Sequence, residues 1–126
     1  MRLKTFLDMA ATPEIGQGWG WLALWGGHVF VGFWLAVCVA FMSDLPAIVI
    51  DPVVFFGYFL FKEMPFDLRR GGTLRDSLTD CMAVGFGSYA TTALIDGNLC
   101  AAFWTLNLAV VVGIYGLAFN LERDDK

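Results

Sequence analysis

Seven ionisable residues stand where an otherwise apolar chain could do chemistry: His28, Lys62, Glu63, Asp67, Arg70, Asp76 and Asp80. His28 interrupts one apolar run, Lys62 and Glu63 close a second, and Asp76 and Asp80 open a third. At helical spacing, Glu63, Asp67 and Arg70 share a face, and Asp76 and Asp80 share another. Converging carboxylates could hold a divalent cation through oxygen ligands, or share protons for transfer. Their basic neighbours could instead engage phosphate near a lipid headgroup. Each residue also has a plainer reading. Asp76 suits a helix cap, Arg69, Arg70 and Arg75 suit topology anchors, and Lys62 and Glu63 can snorkel or pair with each other. His28 suits a hydrogen-bonded interhelical position, and as the only histidine it excludes two-histidine haem ligation within one subunit. Asp80, one full turn inside its helix, is the hardest to explain without a function.

The surroundings make these charges costly. Of 126 residues, 58% are hydrophobic, with 12 Phe and 5 Trp, and 16% are charged, against roughly 25% in a soluble domain. An Asp or Lys at the centre of a membrane helix costs about 2.5–3.5 kcal/mol, and less near an interface. The composition therefore predicts a single integral-membrane domain over residues 1–126. A net charge of -4 argues against a nucleic-acid partner. Cys38, Cys81 and Cys100 are odd in number and show no CxxC spacing, which makes them small hydrophobes before metal or disulfide residues. The basic start is not followed by a compact apolar run and a small-residue cleavage site, so no secretory signal is expected. No GxSxG, HExxH or Walker loop is present. The residues leave open whether the chain is an enzyme, which residues would be catalytic and whether a metal binds; no cofactor is expected.

The elements that must position the cluster follow from the basic residues. Arg2 and Lys4, then Lys62, Arg69, Arg70 and Arg75, then Arg123 and Lys126 form three groups separated by apolar stretches. Cationic loops stay in the cytoplasm, so this spacing predicts an even number of crossings with both termini inside. The expected fold is all-α: an integral membrane bundle of four transmembrane helices in the cytoplasmic (inner) membrane. Approximate crossings are 21–42, 52–70, 76–95 and 99–119, preceded by a short interfacial helix over residues 2–11. Thr12-Pro13-Glu14 and Asp51-Pro52 read as helix starts, and Thr73 to Asp76 as a capping box. Gly71-Gly72 and Asp96-Gly97-Asn98 read as turns, and Pro65 as a kink in the second helix. Trp19, Trp21 and Trp25 are expected at headgroup level. Small residues four apart, such as Gly16 and Gly20, Ala36 and Ala40, Ala83 and Gly87, and Ala109 and Gly113, predict close helix approach. This topology puts His28, Lys62, Glu63, Asp76 and Asp80 in one leaflet.

At HVF (28–30), KEMPFDLRRGG (62–72) and DSLTDCMAVGFG (76–87), the chain resembles small VanZ-like and YfiM-like membrane proteins, some of them carried by phages. Those families place a His-aromatic step in the first apolar helix, Lys-Glu or Glu at the end of the next, and Asp-x-x-x-Asp followed by Gly after a basic turn. The likeness covers roughly half the chain. The sequence departs from the pattern in lacking Asp-Lys before the histidine and in placing Pro65 just after Lys-Glu. The resemblance implies an envelope or lipid-linked role, without a named reaction. Two other readings fit the composition: a phage holin or similar lesion-forming protein, and an accessory or anchor subunit of a larger membrane complex. The partners expected are the lipid bilayer and either further copies of the chain or a larger complex.

Overall fold

Pro46, Gly71 and Gly97 punctuate the chain. A computed structural model describes residues 17–124, and within these the fold is all-helical with no strand. Helix α1 spans Gln17–Met42, α2 spans Ala47–Tyr58, α3 spans Leu74–Ile95 and α4 spans Leu99–Asp124. The interfacial helix expected over residues 2–11, and the start signal at Thr12-Pro13-Glu14, lie outside the described residues. So does Gly16 of the first small-residue pair.

Each boundary has a local cause. Pro46 is extended (φ -65°, ψ 148°), and its carbonyl accepts from the amides of Val49 and Ile50. Helix α2 thus starts at Ala47, and Asp51-Pro52 lies inside it, which corrects the start expected near residue 52. The α-helix then widens into a π-helix over Phe59–Asp67, followed by a 3₁₀ turn at Leu68–Arg70. The amide of Leu68 donates to the carbonyl of Glu63, five residues back. Pro65 has no amide to donate, and it sits within this wider segment. Gly71 takes φ +94°, a conformation that suits glycine, and ends the stretch. Thr73 caps α3, its hydroxyl accepting from the Asp76 amide at 3.1 Å. The turn into α4 uses Gly97 at φ +72°, and Asn98 Oδ1 accepts from the Ala101 amide at 3.0 Å.

Packing centres on α1 and α3. Where they cross, a Cβ on Gly32 would collide with the Val84 carbonyl, and one on Gly87 with the Val29 carbonyl. Ala36, Ala83 and Val84 seal the crossing and are fully buried, and Ile50 and Val54 of α2 complete this core. Helix α4 runs antiparallel to α1, with Gly18 beside Leu121 and Trp25 beside Gly113. Trp25 is buried and its Nε1 donates to the Ala109 carbonyl at 3.0 Å. Trp21 stacks on it at 5.5 Å and covers Gly116. The small residues of α4 leave sockets for these two rings, which makes them packing residues, while Trp19 alone of the three is exposed. Both α2 and α4 pack against α1 and α3, with no substantial contact between α2 and α4. The bundle is a diamond with α1 and α3 on its short diagonal.

Two helical stretches, Gly18–Met42 and Leu99–Leu121, are long and apolar enough to cross a membrane. Large apolar side chains face outward on every helix. Trp34 and Phe41 do so on α1, Ile48 and Phe56 on α2, Met82 and Ile95 on α3, and Trp104 and Tyr115 on α4.

Candidate functional site

The close approach of α1 to α3 brings together side chains that would otherwise stay apart. His28 lies one turn before Gly32, and Asp80 one turn before Val84. His28 Nε2 stands 3.5 Å from Asp80 Oδ2. On its other side, Nδ1 lies 2.8 Å from the Leu24 carbonyl. A carbonyl oxygen can only accept, so Nδ1 carries a proton and Nε2 is the nitrogen that faces Asp80.

The second half of the site comes from the π-helix. Lys62 Nζ donates to Glu63 Oε1 at 2.8 Å and lies 3.6 Å from Asp80 Oδ2. It also sits 5.5 Å from the centre of the Tyr58 ring, within cation–π range. Tyr58 meets the His28 ring edge-on, with centroids 5.9 Å apart. Glu63 is 0% exposed. Ser77 of α3, also buried, lies beside it, its hydroxyl near the carboxylate but outside good hydrogen-bond geometry. A poorly paired buried polar atom is costly.

Of the seven residues singled out by sequence, the structure gathers His28, Lys62, Glu63 and Asp80. Asp76 does not join them. It is exposed and accepts from the Thr73 hydroxyl at 2.6 Å, so it is spent on the cap. Arg70 is exposed, beyond the π-helix. The shared face expected for Glu63 and Arg70 assumed α-helical spacing, which the π and 3₁₀ turns replace. Asp67 closes the π-helix, and its side chain lies outside the described residues.

Two members were missed. Tyr58 lies four residues before Lys62, and Ser77 three before Asp80, so helical spacing alone could have nominated both. A second polar group was missed altogether. Asp51 accepts from the Ser88 hydroxyl at 2.6 Å and the Thr92 hydroxyl at 2.9 Å. Its signal was the pair Ser88 and Thr92, two hydroxyls four apart in an apolar helix.

The chemistry open to the cluster follows from its charges. Lys62 contributes one positive charge, and Glu63 and Asp80 contribute two negative ones, in surroundings poorer in water than bulk. A proton placed between His28 Nε2 and Asp80 Oδ2 would balance the charges of the four side chains. A divalent cation has less support: no group of three His, Cys, Asp or Glu side chains suited to a metal occurs among the described residues. Comparison with protein-family models, curated proteins and solved structures finds no match.

Proposed function

We propose that this is an integral membrane protein of four crossings, with both termini cytoplasmic, in which His28, Lys62, Glu63 and Asp80 form a proton-binding centre in the cytoplasmic leaflet. The observation that carries the reading is Glu63. A carboxylate with no exposure survives at a helix interface only when its charge is balanced or neutralised. Lys62 does part of this and links Glu63 through Asp80 to His28. Side chains of Lys62 and Asp80 retain 37% and 30% exposure, which gives protons a way in.

Two arguments support the membrane placement. Soluble monomers rarely expose apolar patches above a few hundred Å², whereas here large apolar residues face outward on all four helices. The turn at Leu68–Arg70 carries arginines, while the turn at 96–98 carries none, the asymmetry expected of cytoplasmic and outer connections. Helix α3 then crosses with Asp80 turned toward α1, and α2 with Asp51 turned toward α3. The resemblance to VanZ-like proteins lies in these same segments, and it suits an envelope or lipid-linked role for the centre.

Infrared spectroscopy across a pH series tests the reading on protein reconstituted in bilayers. A protonating carboxyl should give a band that Glu63→Gln or Asp80→Asn removes or shifts, with both variants still accumulating in the membrane fraction. Identical spectra from the parent and both variants would end the proposal.

A further inference from the structure

The diamond packing leaves one face of α3 uncovered. Because α2 and α4 share no substantial contact, a groove runs along α3 between them from Met82 to Asp96. Its character changes along its length. The lower part, of about 470 Å³, is apolar, with Phe55 on the α2 side, Trp104 and Leu108 on the α4 side and Gly85 on α3. The upper part, of about 300 Å³, is mixed: Asp51, Thr92, Asp96 and Asn98 bring polar groups to a lining that Ile48 and Ala93 share. Tyr89 lines both parts. The residues of α3 along the groove, 82, 85, 89, 92 and 96, follow helical spacing, which makes the two parts compartments of one surface.

We propose that this groove binds a membrane lipid with a primary ammonium headgroup, its acyl chain in the apolar part and its ammonium between Asp51 and Asp96. The inference rests on the membrane residence argued above and is independent of the proton-binding centre. Three observations select the occupant. An apolar trough continuous with a polar end matches an amphiphile and not a soluble ion. Two carboxylates line the polar end, and no Lys or Arg does, so the complementary headgroup is cationic. Finally, the Ser88 and Thr92 hydroxyls hold Asp51 in place without exhausting the roughly four acceptor positions of a carboxylate. Those that remain can accept N–H bonds, which a primary ammonium supplies and a quaternary one does not. Gly85 keeps the trough open: a Cβ there would meet only the Phe55 ring, at 3.5 Å.

Native mass spectrometry of the full chain tests this, with phosphatidylethanolamine, phosphatidylcholine and phosphatidylglycerol supplied in equal amounts. The parent protein should retain phosphatidylethanolamine about tenfold over either competitor, the discrimination that charge-assisted hydrogen bonds can supply. The double variant Asp51→Asn/Asp96→Asn should lose that preference, since asparagine still accepts from Ser88 and Thr92 and keeps the fold. Gly85→Leu, which fills the trough, should lower retention of all three lipids. Equal retention by the parent, or an unchanged preference in the double variant, would overturn the proposal, whether or not Gly85→Leu folds. Carbonate extraction of membranes from the expressing cells reports separately on membrane residence, so failure of that premise would be told apart from failure of the lipid site.

Discussion

Gly32 and Gly87 lie at the crossing of α1 and α3, each against the backbone of the other helix. A Cβ on Gly32 would meet the Val84 carbonyl, and one on Gly87 the Val29 carbonyl. This approach sets the distance at which the short side chains of His28 and Asp80 can meet. Without it, the 3.5 Å contact would open into a gap.

The crossing should therefore tolerate no added atoms. Gly87→Ala is expected to cost about 1–3 kcal/mol or more, the range for overpacking a tight interface, and to weaken the His28–Asp80 contact. Gly26→Ala, at a position with open space around it, should be close to neutral. Unfolding midpoints of both variants in mild detergent check this, and equal midpoints would show that the crossing is not tight.

Lys62 and Glu63 should behave as a unit. Lys62→Met leaves a fully buried carboxylate without its charged donor and should destabilise the protein by about 1.5–3 kcal/mol, the range for a hydrogen bond to a charged group. Lys62→Met/Glu63→Gln should recover much of that loss, since no buried charge is then stranded. A double variant less stable than the sum of the two singles would contradict the pairing.

Thr73 and Asp76 should prove separable from the cluster. Thr73→Ala removes the α3 cap and should cost about 1 kcal/mol. Asp76→Asn should leave the protonation behaviour of His28 unchanged, since Asp76 is exposed and bound to Thr73. An altered His28 titration in Asp76→Asn would return Asp76 to the site.

The proposed four-crossing topology can be tested by labelling from outside the cell. In a background with Cys38, Cys81 and Cys100 replaced by Ala, a cysteine at Asp44 or Asp96 should react with an impermeant thiol reagent. A cysteine at Gly72 should react only after the membrane is opened. Labelling of Gly72 from outside would reverse the orientation, and protection of Asp96 would remove the third crossing.

The helices and turns were legible in sequence because Pro46, Gly71-Gly72, Thr73 and Gly97 act locally. Two features were not legible because they are tertiary. Pro65 signalled a kink, but the sequence held no sign that the segment would widen into a π-helix. The inward packing of Trp25 depends on the sockets that the small residues of α4 leave. Within the site, His28, Lys62, Glu63 and Asp80 stood out as charges in apolar runs. Tyr58 and Ser77 did not, because neither is unusual in such a helix. Asp51 was mistaken for part of a helix start, since its hydroxyl partners lie 37 and 41 residues away.

The central claim, that His28 faces Asp80 within a proton-binding centre, is open to one direct measurement because the chain has a single histidine. Nitrogen-15 NMR of histidine-labelled protein in bilayers reports both ring nitrogens of His28 without assignment. The structure predicts a protonated Nδ1, held by the Leu24 carbonyl, and an Nε2 signal that changes in Asp80→Asn because that nitrogen faces Asp80. A ring protonated at Nε2 alone, or an Nε2 signal indifferent to Asp80→Asn, would contradict the account.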